Sequence, residues 1–151
     1  MYSADPYSRL PDPEFQAGFY RDVAPKRALA WVIDTLLVAL LTALAVPFTA
    51  FIALFFLPAL FLVLNFLYRW VTLSTRSATW GMRFVAIEFR RLDGGRFDPA
   101  TAFFHTLGYT LCAATVLPQL VSIALMLTTA RGQGLSDLVL GSVAINRMAR
   151  G

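Results

Sequence analysis

Six polar residues stand in or beside apolar stretches of this chain and could do chemistry there: Arg27, Asp34, Asn65, Arg69, His105 and Asp137. Asp34 is the sharpest of them. It lies inside the first long apolar run, and no charged residue follows it from 35 to 68. A lone carboxylate in hydrocarbon costs roughly 2.5–3.5 kcal/mol even on lenient insertion scales, so it must be held by a partner or put to use. Burial favours the protonated form of a carboxyl group, which would let Asp34 alternate between a proton and a bound cation. The competing reading makes Asp34 a lock that fixes helix packing through interhelical polar contacts worth about 0.6–2 kcal/mol. His105 carries the only imidazole, read either as a proton relay or as a packed or interfacial histidine.

Spacing limits which of these groups can meet. Arg27 and Asp34 share one helix face but lie about 10 Å apart along the axis, so they cannot pair within the helix. Arg27 can snorkel towards lipid headgroups, while Asp34 must look to a neighbouring helix. In an antiparallel hairpin that aligns Arg27 with Arg69, Asn65 and Arg69 become its expected partners. Asp137 can approach Arg27 only if the C-terminal part of the chain lies on the same side of the membrane.

Other chemistries lack their residues. The single histidine, and a single cysteine (Cys112) inside an apolar run, give no HExxH motif, disulfide or CxxC site, and there is no glycine-rich phosphate loop. No enzyme activity, metal or other cofactor is expected. The net charge is +4, but the basic residues flank the apolar runs instead of forming a stripe with aromatics, so a nucleic-acid partner is not expected either. With 58% hydrophobic residues, 15% charged residues and a mean hydropathy of +0.63, the composition is that of a membrane protein whose first partner is the lipid bilayer.

The elements that must position these groups follow from the apolar runs. Residues 1–24 carry three prolines and read as a polar, flexible tail without core contacts. Pro25 opens a helix whose apolar part spans about 28–45 and ends at Pro47 and Thr49. Ala43-Leu44-Ala45 resembles a signal-peptidase site, but the run before it is too long and contains Asp34. A second run, about 51–68, follows without a charged residue in the turn and forms a tight hairpin with the first; Pro58 is expected to kink it. The third stretch, 100–130, is too long for one straight crossing and too short for two. It is read either as one tilted, kinked span or as a re-entrant helix pair turning at Pro118. The fold class is thus an all-α membrane protein with a small two-stranded β element, Phe84 to Phe89 pairing with Ser142 to Asn146. The unit runs from 25 to 147, with 148–151 as a tail. Basic residues collect at the N-terminus and between Arg69 and Arg96, while the hairpin tip has none, which puts the N-terminus in the cytoplasm. A chain this short needs a homo-oligomer or a larger membrane complex to enclose a route for transport.

Three ordered segments resemble the RDD family of small integral membrane proteins. They are Lys26-Arg27-Ala28-Leu29-Ala30-Trp31-Val32-Ile33-Asp34, then Thr79-Trp80-Gly81-Met82-Arg83 with the Asp93-Gly94-Gly95 turn, and finally Gly134-Leu135-Ser136-Asp137-Leu138-Val139-Leu140-Gly141. The chain departs from the family pattern at Met82, where lysine is usual, at Ser136, where histidine is common, and at His105, where many members carry arginine. The resemblance implies an inner-membrane protein. Transport has been suggested for the family, with cation/proton exchange for some members. A non-catalytic accessory or assembly subunit packed on a larger complex is the alternative.

Overall fold

The computed structural model describes Tyr7 and residues 9–147. Two helices are long and apolar enough to cross a membrane: Ala17–Phe48, with mean hydropathy 2.3, and Ile52–Arg76, with 2.0. Their regular α-helical parts are α1 (Val23–Phe48) and α2 (Leu57–Arg76). Only 28% and 11% of their apolar windows are buried, so most of the apolar surface faces outward, as bilayer solvation requires. On α1 the inward residues are Ala30, Asp34, Val38, Thr42 and Val46, one every four residues, the spacing that keeps side chains on one helix face. The turn between the helices uses left-handed backbone at Ala50 and Phe51 and a 3-10 turn, Ile52–Phe56.

Two prolines act differently from the sequence expectation. Pro58 sits at the start of α2 and does not kink it, because a proline in the first helical turn removes an N–H that has no partner anyway. Helix α2 also continues past Tyr68 to Arg76, carrying Arg69 and Trp70 inside it. Pro118 likewise lies in the first turn of its helix, and the reversal comes earlier. Helix α4 (Pro99–Ala113) ends at Ala114, and α5 (Val116–Thr128) departs at 116°.

The pair α4 and α5 is bent by 116° and carries the chain back to the end from which α4 starts. At 1.5 Å per residue α4 reaches only about 22 Å, short of the ~30 Å hydrocarbon layer. After α5 the chain is again at the end where α1 begins, because Asp137 of α6 (Leu135–Leu140) bonds to Arg27. The two strands β1 (Ile87–Arg90) and β2 (Val143–Asn146) close that end antiparallel, with Ile87 opposite Asn146 and Arg90 opposite Val143. Phe84, expected in the first strand, instead ends the short helix α3 (Trp80–Phe84), which the Thr79 side chain caps by accepting from Met82 N–H; Ala86 then breaks the chain direction with φ of 61°.

The buried core lies at this closed end rather than along the hairpin. Val23, Ala30, Leu73, Met82, Ile87, Phe89, Phe97 and Ala144 form one cluster. Phe66 and Trp70 of α2 join Phe103 of α4 with edge-on ring contacts at 5.5 and 5.3 Å. Residues before α1 are not devoid of core contacts: Leu10 is buried with Val143 and Ile145, and Phe19 and Tyr20 pack beside them. With Tyr7, which packs on the same cluster, four side chains among many polar ones suffice to seat this segment on the sheet. Residues 148–151, the expected C-terminal tail, lie outside the described residues.

Candidate functional site

Asp34 is 2% exposed, and its carboxylate is met from two directions. From α2, Tyr68 donates its hydroxyl to Oδ1 at 2.6 Å. From the start of α3, Thr79 donates to Oδ2 at 2.6 Å and the Gly81 N–H donates to Oδ1 at 2.9 Å. Arg69 stands further off, 3.9 Å from Oδ2. Hydrogen bonds from three donors replace the hydration that a membrane-embedded carboxylate loses. Asn65, expected beside Asp34, is half-buried and takes no part in this set; Tyr68, nearly one turn further along α2, occupies the place foreseen for it.

The close approach of α3 depends on Gly81. A Cβ there would stand 2.3 Å from the Ala30 carbonyl oxygen and 2.9 Å from Asp34 Oδ1. The segment Thr79-Trp80-Gly81 therefore works as a unit: the Thr79 hydroxyl donates to Asp34 while accepting from Met82 N–H at 3.2 Å, and Trp80 N–H is received by the Tyr68 hydroxyl at 3.1 Å.

A second buried carboxylate gathers the rest. Asp137 is fully buried. It accepts from Arg27 at 2.5 Å and Gly134 N–H at 3.0 Å on Oδ2, and from Ser142 at 3.0 Å on Oδ1, where His105 Nε2 also lies at 2.7 Å. Burial works to raise the Asp137 carboxyl, but the Arg27 guanidinium and the His105 ring outweigh it and hold the group below the ordinary carboxylate range. Arg27 also donates to the Gly132 carbonyl at 3.1 Å and lies over the Phe89 ring at 5.2 Å. His105 packs tilted against the stacked rings of Phe89 and Phe97, with ring centroids 4.4 and 5.3 Å away, and its Nδ1 has no hydrogen-bond partner among the described residues.

The two arginines and two aspartates thus form two separate clusters, Asp34 with Arg69 and Asp137 with Arg27. Both border one cavity of 540 Å³ between α1, α4, α5 and α6, whose other walls include Trp31, Tyr109, Ser122, Ile123 and Met126. Among the described residues, no three His, Cys, Asp or Glu side chains come together to hold a metal ion. The model of the RDD family matches residues 23–141. The chain belongs to the RDD family. No curated protein and no solved structure matches it. The RDD match begins as α1 begins and ends just past α6, so it takes in both charged clusters, α3 and the bent pair.

Several residues that hold this RDD site escape a reading by charge. Tyr68, Thr79, Gly81 and Ser142 are neutral, and Tyr109 contributes a ring surface. The available signal was the Thr-x-Gly step, a capping residue followed by a glycine. Glu88 was also missed. It is 2% exposed on β1, contacting Arg90, with Arg147 at 3.6 Å, and it ties the strand pair at the closed end.

Proposed function

We propose that this RDD protein is a non-catalytic, multi-pass protein of the inner membrane, its N-terminus cytoplasmic, that takes a small ligand into the cavity between α1 and α5 for transport. The observation that carries this reading is the cavity itself. It is an open space of ligand size, roughly 300–1,000 Å³ being usual, with two arginines, two aspartates and a histidine on its walls among apolar side chains. Charged groups at such depth mark ligand or ion pathways in membrane proteins. The orientation follows from the basic residues: Lys26, Arg27, Arg69, Arg90 and Arg147 lie at the end closed by the sheet, and residues 49–56 at the hairpin tip carry none.

In this reading Asp34 is a clasp and not the exchanging proton or cation site. A cation needs oxygen lone pairs, and three donors with Arg69 behind them already point at those of Asp34. A homo-oligomer supplies the remaining wall, since α5 packs on α4 and α6 and buries only Ser122.

The same bare α5 favours a second reading, in which a larger membrane complex covers it and the protein is an accessory subunit. Extraction in mild detergent followed by intact mass measurement separates the two. The expected result is the protein alone or as a homo-oligomer carrying a small molecule of defined mass. A stoichiometric larger complex with an empty cavity would replace the transport reading with the accessory one.

A further inference from the structure

Arg69 is a cation whose hydrogen-bonding capacity goes unused. Its residue is 7% exposed, yet its guanidinium donates no hydrogen bond among the described residues: Asp34 lies at 3.9 Å, and Nε is buried without a partner. Tyr68, Thr79 and Gly81 have taken the Asp34 oxygens instead. The Tyr109 ring lies 3.9 Å from the Arg69 guanidinium carbon, and the Tyr109 hydroxyl is itself held by Trp31 Nε1 at 2.7 Å. A planar guanidinium fixed on a ring with N–H groups to spare matches the paired oxygens of a carboxylate or phosphate.

Arg27 cannot serve in the same way, because it is spent on Asp137 and the Gly132 carbonyl. Arg69 lines the cavity, and the wall opposite α1 is mainly apolar, with Ile123, Met126 and Leu127 of α5 beside the neutral polar Gln119 and Ser122. Ile123 and Leu127 are 44% and 70% exposed, on a helix that leaves α1 uncovered. A ligand there meets Arg69 as the cation with N–H groups to spare, while Arg27 and Asp137 on the same walls are bonded to each other, and apolar side chains of α1 and α5 line the way out.

We propose that this cavity binds a single-chain anionic amphiphile, its carboxylate or phosphate head on Arg69 and its chain between α1 and α5. The inference rests on the reading that the cavity takes a small ligand, and it names the chemical class. A volume of 540 Å³ suits one chain with a small head.

The full-length protein in a non-ionic detergent is titrated with palmitate, lysophosphatidate, hexadecanol or inorganic phosphate, and one-to-one adducts are counted by native mass spectrometry. Palmitate or lysophosphatidate should bind at least about tenfold more tightly than hexadecanol, the gap expected for a charge-assisted contact. Whichever of the two binds better tells a fatty carboxylate from a lipid phosphate as the source of the head. Arg69→Gln should abolish that preference. Ile123→Trp, on an exposed position of α5, should weaken both amphiphiles with the unfolding temperature unchanged, which keeps the test decisive if Arg69→Gln fails to fold. Hexadecanol binding as tightly as palmitate would overturn the anionic head while leaving a small-ligand cavity intact. Inorganic phosphate binding as tightly as lysophosphatidate would overturn the chain. No adduct with any probe, and no small molecule retained from the native membrane, would remove both the inference and the reading beneath it.

Discussion

The backbone N–H of Gly81 donates to Asp34 Oδ1 at 2.9 Å across the contact between α3 and α1. Any side chain at position 81 would break that contact, because its Cβ would meet the Ala30 carbonyl oxygen at 2.3 Å. The obstacle is helix backbone, which cannot swing aside as a flexible side chain can. Asp34 is therefore stabilised in the apolar run by a glycine forty-seven residues away.

Gly81→Ala should cost about 2–4 kcal/mol, from overpacking against α1 plus a weakened bond to a charged acceptor. Gly95→Ala serves as its control, since a Cβ there meets only the side-chain ends of Arg91 and Asp93, and should stay within about 0.5 kcal/mol. Thermal unfolding of both variants in detergent decides the matter. Equal, small shifts would mean that α3 does not sit on Asp34.

Asp34→Asn keeps the shape but replaces one acceptor oxygen by a donor. Tyr68, Thr79 and Gly81 all donate into this site, so at least one hydrogen bond becomes a clash of donors, and Arg69 loses its neighbouring charge. The expected loss is about 2–4 kcal/mol, visible as lower abundance and a lower unfolding temperature. If Asp34 were an exchanging cation site, the variant would instead keep its stability and lose only coupled flux.

Much of this architecture was legible in the sequence, and the misses share a cause. The hairpin and the strand pairing follow from long-range patterns, namely apolar run length, basic residues at one end and alternating apolar segments, whereas the Arg27 to Asp137 approach follows only on the condition that the third stretch returns to its starting side. What eluded the sequence was local backbone chemistry. Pro58 and Pro118 read as a kink and a turn because their place in a first helical turn depends on where the helix begins, which is fixed here by Phe56 and Thr115. Charge and amide content point to Arg69 and Asn65 as partners of Asp34, yet a phenol, a hydroxyl and a peptide N–H supply its hydrogen bonds. Neutral donors leave no trace in charge patterns, and α3 is too short for periodicity to show.

The Arg27 and Asp137 pair should behave as a coupled unit. Arg27→Gln and Asp137→Asn each strand a buried charge, at about 3–5 kcal/mol apiece. The double variant strands neither and should fall short of the sum by at least about 1.5 kcal/mol. Additive losses in a double-mutant cycle would show that the 2.5 Å contact contributes no coupling.

The same pair makes stability depend on pH in a defined direction. Asp137 is held below the ordinary carboxylate value by Arg27 and His105 against the opposing effect of burial. A group whose folded-state pKa is depressed contributes stability that is complete above its unfolded value, about 3.9, and is lost as pH falls from there towards the folded value. Unfolding temperature should accordingly drop on acidification below about pH 4, and the drop should be shallower in Asp137→Asn, which has no proton to take up. Parallel pH profiles for the two proteins would exclude Asp137 as a source of acid sensitivity.

The bent pair of α4 and α5 has a consequence that labelling can read. Because β1 and β2 pair in register, position 96, in the segment between β1 and α4, and position 147, directly after β2, must lie on one side of the membrane. Thr49, at the tip of the hairpin formed by the two long helices, must lie on the other. In a Cys112→Ala background, Arg96→Cys and Arg147→Cys should react together with a membrane-impermeant maleimide in inside-out vesicles, while Thr49→Cys should react only from the opposite face. Labelling of position 147 together with position 49 would require α4 and α5 to cross as one span, which would pull β2 away from β1 and Asp137 away from Arg27.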